Sequence, residues 1–147
     1  MQDLPHHYLV LASADLEGEV TLSSRGIEDL STAPPPQYGG PGDKWSPETL
    51  LVGAVVDCFI LSFRAIARAS SLHWVDLHCE AEGTLDRVER VTRFTNITVR
   101  AFLKVGPETN AEKARRILEK AESNCLVTNS LACEVELEAT VGVQEAG

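Results

Sequence analysis

The chain has 147 residues, with 22 acidic against 13 basic side chains, a formal net charge of −9 and a pI near 4.8. Its length suits one domain, taken as residues 1–147, with a core that needs no disulfide or metal staples. The negative charge repels phosphate backbones and anionic lipid, so neither nucleic acid nor a membrane surface is an expected partner. The opening M-Q-D-L-P-H-H-Y lacks the basic-then-apolar pattern of a signal peptide, which gives a cytoplasmic expectation. In that setting four cysteines read as free, catalytic or redox-active thiols rather than as a disulfide framework.

Tyr8 to Ser13 and Glu19 to Leu22 read as two strands around the turn D-L-E-G, with a short edge strand at Asp29–Leu30. Residues 31–46, rich in proline and glycine, form a long loop that either lines a site, wraps a neighbouring subunit or simply connects. A helix then opens with Ser46 as N-cap and Pro47 at its first position. From Leu50 to Phe63 nearly every residue is apolar, which predicts a central helix buried almost all round. Asp57 and Arg64 interrupt the run of about 20 apolar residues that spanning a membrane requires.

Alternation follows. Val75, Leu77, Cys79, Ala81 and Leu85 share one strand face, and Asp76, His78, Glu80 and Glu82 the other. Arg93 to Val105 repeats the pattern with Ile97, Val99, Ala101 and Leu103 inward, as an antiparallel partner joined through L-D-R-V-E-R. Thr109 with Glu112 has capping-box spacing ahead of a helix whose Ala114, Ile117, Leu118 and Ala121 form a stripe. Glu112 with Arg116 and Arg115 with Glu119 are helix-spaced charge pairs. A last strand, Cys133 to Val141, alternates Val135, Leu137 and Ala139 inward with Glu134, Glu136 and Glu138 outward. The order predicts an α+β fold, with an antiparallel sheet packed on a long buried central helix and a second helix.

Periodicity separates the four cysteines. Cys79 and Cys133 fall on inward strand faces, where cysteine acts as a small hydrophobe. Cys125 continues the stripe of Leu118 and Ala121, so its sulfur is expected to point toward the central helix that carries Cys58. A redox pair and two inert core thiols are both consistent with that pattern. The four histidines make no metal-ligand spacing with a cysteine pair, and no phosphate-cradling glycine motif is present.

The lead P-E-T-L-L-V-G-A-V-V-D-C-F, followed far down the chain by C-L-V-T-N-S-L, resembles the OsmC/Ohr family of osmotically inducible and organic-hydroperoxide-resistance proteins. The resemblance runs from the N-terminal hairpin to Val141. It implies an intertwined homodimer with its active sites at the dimer interface, in which one cysteine attacks an organic hydroperoxide and a second resolves the product. Those roles fall on Cys58 and Cys125. Glu48 matches the acidic partner that orients a catalytic arginine, and Arg25 is the only arginine ahead of the central helix; a solvated loop charge is its alternative reading. No bound cofactor is implied, and the reductant would be an external dithiol resembling dihydrolipoamide.

The chemistry such residues would perform has clear requirements. The thiolate is the nucleophile, and a free cysteine with a pKa of about 8.5 is mostly protonated at neutral pH. Cys58 lies roughly 15 Å beyond the start of its helix, too far for the N-terminal dipole to act strongly. A guanidinium is therefore the natural stabiliser. Glu48, roughly 15 Å from Cys58 along the same helix, must act through a bridging arginine or from a second subunit. Phe59, Phe63, Leu61, Trp45 and Tyr38 are candidates for an apolar lining that favours alkyl hydroperoxides, or for plain core. The competing function is a non-enzymatic member of the same fold that binds a hydrophobic ligand or senses oxidation.

Overall fold

The computed structural model describes residues 1–145 and falls into two compact units, Met1–Leu51 and the chain from Val52 onward. The first unit is an antiparallel meander of β1 (Leu11–Ala14), β2 (Val20–Ser24) and β3 (Ile27–Thr32), in that spatial order. The third strand is longer than the expected Asp29–Leu30 because Arg25 and Gly26 make a two-residue turn, with Ser24 paired to Ile27 and Gly26 at a φ of 80°. β1 is exposed throughout and β2 only half-buried, so the meander buries little apolar surface.

The proline-rich loop is ordered by its own backbone. A single 3-10 turn, Pro36–Tyr38, is closed by the Tyr38 and Gly40 amides on the Pro35 carbonyl, at 2.9 and 3.0 Å. The loop returns to the sheet through the Ala33 amide on the Trp45 carbonyl at 3.0 Å. Gly40 is required there: a Cβ at that position would fall on the Pro34 carbonyl oxygen, which is backbone and has no rotamer to yield. Gly40→Ala is expected to destabilise the chain by about 2–3 kcal/mol, whereas Gly142→Ala, whose Cβ would meet nothing within 4 Å, should stay within about 0.5 kcal/mol. Urea unfolding of the two variants checks the contrast.

Helix α1 (Pro47–Ala69) starts as its sequence suggests. The Ser46 hydroxyl accepts the Thr49 amide at 3.1 Å and the Thr49 hydroxyl accepts the Ser46 amide at 2.9 Å, a reciprocal capping box. The division between the two units falls in its second turn. By length and composition α1 could cross a membrane, with a mean hydropathy of 2.1 in its most apolar window. It is not buried all round in the single chain. Only the i, i+4 stripe Val55, Phe59, Phe63 and Ala67 is fully buried, while Asp57, Leu61 and Arg64 are exposed. The sheet and helix of the second unit supply one packing partner, enough to cover one side of a cylinder.

That sheet consists of β4 (Asp76–Val88), β5 (Val91–Val105) and β6 (Glu134–Val143), ordered β4-β5-β6. β4 and β5 form a long antiparallel hairpin. The stretch L-D-R-V-E-R is not a loop: the strands run to Val88 and from Val91, and Glu89 and Arg90 alone turn the chain, with φ of 51° and 71°. Two left-handed residues match the twist of the flanking strands. The expectation of an all-antiparallel sheet is corrected at β6, which pairs with β5 in parallel, Ile97 opposite Val135 and Val99 opposite Leu137. A parallel neighbour needs a crossover, supplied here by α2 (Ala111–Ser123) and the single turn α3 (Leu126–Asn129).

Inward residues behave as their alternation implies: Ile97, Val99, Ala101, Leu103 and Val105 of β5 form one buried cluster with the α1 stripe and with Ala114, Ile117, Leu118 and Ala121 of α2. Phe63 meets Trp74 edge-on, ring centroids 5.3 Å apart. On the outer face Arg100 holds Glu80, Glu82 and Glu138 from both neighbouring strands, at 3.3, 2.9 and 3.2 Å. The cap of α2 is Asn110, whose side chain accepts the Glu112 and Lys113 amides at 2.9 and 3.1 Å. Thr109, the expected cap, instead donates its hydroxyl to the His73 carbonyl at 3.0 Å. Neither charge pair on α2 closes among the described residues, and Arg115 donates to the Ala139 carbonyl at 2.9 Å.

Candidate active site

Cys58 follows from the packing of α1. Phe59 is locked inward by the buried stripe, so its neighbour Cys58 lies at the edge of that stripe, half-buried, with Ser62 one turn further along the same face. Cys125 reaches the same place from another element. It does not end α2, which stops at Ser123; it is the N-cap residue of α3, in extended backbone with φ −70° and ψ 113°. Its Sγ is turned into the protein, and the residue is 1 % exposed. The two sulfurs lie close enough that each governs the other's ionisation, and the Val127 amide acts on both. All four cysteines are free thiols.

The pair is electrostatically asymmetric. Burial pushes the Cys58 thiol up; the Val127 amide and the Ser62 hydroxyl draw it down, Cys125 raises it further, and the net displacement is upward. Burial also acts upward on Cys125, but it is outweighed by the Thr128 hydroxyl and amide together with Cys58 and the Val127 amide, so this thiol ends below its ordinary value. The two shifts run in opposite directions, so Cys125 is the more acidic thiol of the pair. No capping bond closes on the Cys125 sulfur in this structure, as expected for so weak an acceptor as a neutral thiol. The α3 groups act on it as oriented dipoles.

The other two cysteines stand apart. Cys79 is half-buried on the inner face of β4, and burial pushes it up to about 11, which keeps it protonated and inert. Cys133 is half-buried just ahead of β6 and packs against the core. Phe59 and Phe63 are fully buried core; Leu61, Trp45 and Tyr38 are exposed in the single chain.

Glu48 and Arg25 belong to the first unit. Glu48 sits in the first turn of α1, and its Oε1 is buried with no hydrogen-bond partner. Such an atom costs free energy unless a donor reaches it. Arg25, exposed at the tip of the β2–β3 turn, makes no ion pair among the described residues. Thr128 and Val127 were not singled out from the sequence. One signal for Thr128 was present, since C-L-V-T repeats the N-cap to N3 spacing of S-P-E-T at the start of α1.

Two thiols from distant parts of the chain are thus brought together on an α+β scaffold. The chain belongs to the OsmC-like protein family, whose pattern matches residues 40–140 and so takes in Glu48, Cys58 and Cys125 but not Arg25. It is 26 % identical to the uncharacterised protein YmaD of Bacillus subtilis over 146 residues, 97 % of each chain. Among solved structures, an OsmC-like protein from Vibrio cholerae superimposes with a TM-score of 0.84 at 17 % identity, covering 92 % of this chain and all of that one. An organic hydroperoxide resistance protein from Legionella pneumophila does so with a TM-score of 0.74 at 22 % identity, covering 96 % and 100 %. These likenesses bear out the family and the OsmC-like fold read from the sequence.

Proposed function

We infer that the protein is a thiol peroxidase for organic hydroperoxides, with Cys58 as the attacking and Cys125 as the resolving residue. The observation that carries this reading is the juxtaposition of the two free sulfurs, one half-exposed and one buried. The Cys58 thiolate attacks the distal peroxide oxygen, forming the S–O bond of a sulfenic acid as the O–O bond breaks and the alkoxide leaves to take a proton. The Cys125 sulfur then displaces the sulfenic hydroxyl as water, leaving a disulfide two electrons poorer than the dithiol, those electrons having reduced the peroxide to alcohol and water. An external small dithiol returns them.

The family resemblance assigns Arg25 as the source of the positive charge that favours a Cys58 thiolate and Glu48 as the carboxylate that orients it; the Glu48 Oε1 has no hydrogen-bond partner among the described residues. The working protein is a homodimer: Leu61 on α1, with Leu11 and Ile27 on the meander, leaves large apolar side chains open in the single chain. Reduced protein mixed with one equivalent of tert-butyl hydroperoxide is expected to yield a Cys58–Cys125 disulfide within seconds, mapped by mass spectrometry. Two thiols still reduced after many minutes would sink the assignment. Arg25→Ala is expected to slow the reaction about a hundredfold near neutral pH and to shift its pH profile upward, because Cys58 then ionises only at its burial-raised pKa.

A further inference from the structure

The outer face of the β4-β5-β6 sheet carries residues in register on all three strands. Asp76, Lys104 and Gly142 form one row, His78, Phe102 and Thr140 the next, and Glu80, Arg100 and Glu138 the third. Phe102 is the one large apolar side chain in these rows, and it is 48 % exposed on the centre strand. Gly142 leaves its place in the first row unfilled, since a Cβ there would meet nothing within 4 Å. The first two rows therefore line an open depression of about 250 Å³. Its charge is uneven. Lys104 and Asp76 offset each other across 3.8 Å. Arg100, by contrast, meets Glu80, Glu82 and Glu138 through one oxygen each, three carboxylates against one guanidinium. The excess negative charge sits one row from Phe102, roughly 7 Å along the strand. Among the described residues no hydrogen bond uses the second oxygen of any of these carboxylates.

We propose that this depression docks an arginine side chain of a basic partner protein, with the guanidinium stacked on the Phe102 ring and its N–H groups donating to the free oxygens of Glu80 and Glu138. The chemistry selects that occupant. The carboxylates repel an anion, and a purely apolar ligand would find a single ring in an open depression, far from the enclosure such ligands need. The face of a phenyl ring is negative and attracts a cation. A guanidinium suits it better than an ammonium, because it is planar, weakly hydrated and forked toward carboxylates. A free small guanidinium compound would remain largely in water here, whereas an arginine on a chain is held in place by the contacts of its neighbours along the strands. The surface is separate from the thiol chemistry: the opposite face of the same strands packs on α1 and α2, and Phe102 is turned away from it.

The test is an NMR titration of the ¹⁵N-labelled full chain with the peptide acetyl-Gly-Arg-Gly-Arg-Gly-amide and with its lysine counterpart. The arginine peptide is expected to shift the amides of His78, Phe102, Thr140 and Gly142, and to bind about threefold more tightly than the lysine peptide. Raising the salt from about 50 to about 500 mM should weaken both. Phe102→Ala should weaken the arginine peptide about fivefold and bring the two peptides level. Gly142→Val, which fills the depression with a side chain that suits a strand, should have a similar effect. Shifts spread over the acidic residues of the whole chain, or equal binding of the two peptides, would mean plain charge attraction and would overturn the proposal. So would unchanged affinity in both variants, or no shift at all. The comparison of the two peptides on the unsubstituted protein decides the question even if a variant fails to fold, and none of these readouts depends on the peroxidase reading.

Discussion

Cys58→Ser is expected to abolish hydroperoxide consumption, lowering the rate at least about a thousandfold, because a serine hydroxyl at this position has neither the acidity nor the polarisability to attack an O–O bond. Nothing else can take over. Cys125 carries the lower pKa of the pair but is sealed from solvent, Cys79 is held protonated by burial, and Cys133 packs against the core. Cys125→Ser should behave differently. One equivalent of hydroperoxide is still consumed, and the sulfenic acid then persists long enough to be trapped by dimedone. Peroxide consumption followed with a ferrous–xylenol orange assay, with dimedone labelling read by mass spectrometry, separates the two variants. Equal loss in both would show that the thiols act as one binding element and not in sequence.

Phe63→Ala is expected to cost about 3–5 kcal/mol of folding stability, the range for a large aromatic removed from a packed core. Phe63 is fully buried, stands third in the stripe by which α1 meets β5 and α2, and loses an edge-on partner in Trp74. Against a typical total of about 5–15 kcal/mol, the loss removes about a fifth of the margin or more. Leu61→Ala, two residues away on the same helix, should leave monomer folding within about 0.5 kcal/mol because that side chain is 53 % exposed. Its effect is expected instead on association, as a weaker dimer in sedimentation. Urea melts at two protein concentrations distinguish the variants: the Phe63→Ala midpoint falls at both, while the Leu61→Ala midpoint falls mainly at the lower concentration, where the weakened dimer dissociates.

Much of the α+β architecture could be read from periodicity, because the inward residues of β4, β5, β6 and α2 recur at their proper spacings. What the pattern could not give were features fixed by backbone pairing. Glu89 and Arg90 include no glycine or asparagine to announce a left-handed turn, so the connection of the hairpin read as the longer loop L-D-R-V-E-R. The direction of β6 is invisible in its alternation and follows only from the crossover that α2 and α3 provide. Asn110 and Thr109 both have side chains able to cap, and the His73 carbonyl claims the threonine.

The site was legible to a similar degree. Extending the α2 stripe to Cys125 gave the right direction on the wrong element, since the chain leaves α2 at Ser123 and restarts as α3 with its sulfur still turned inward. Apolar composition made all of α1 look buried, but composition counts the residues without saying how many partners surround the helix. One chain buries a single stripe.

If the protein is a thiol peroxidase, the seating of Cys125 against Cys58 also sets how long a molecule survives its own chemistry. A sulfenic acid faces a race between capture by a thiol and a second oxidation to the sulfinic state, which is not reversed by ordinary thiols. A second hydroperoxide must arrive by diffusion, at millimolar concentration or less. The competing thiol is built into the fold, and effective molarities for well-oriented groups reach ~10⁵ M. The partition therefore favours the disulfide by orders of magnitude, and inactivation per turnover should be rare even in a burst of oxidant. On the peroxidase reading, burial of Cys125 protects Cys58, and an opening of α3 would convert a durable catalyst into one spent after a few cycles.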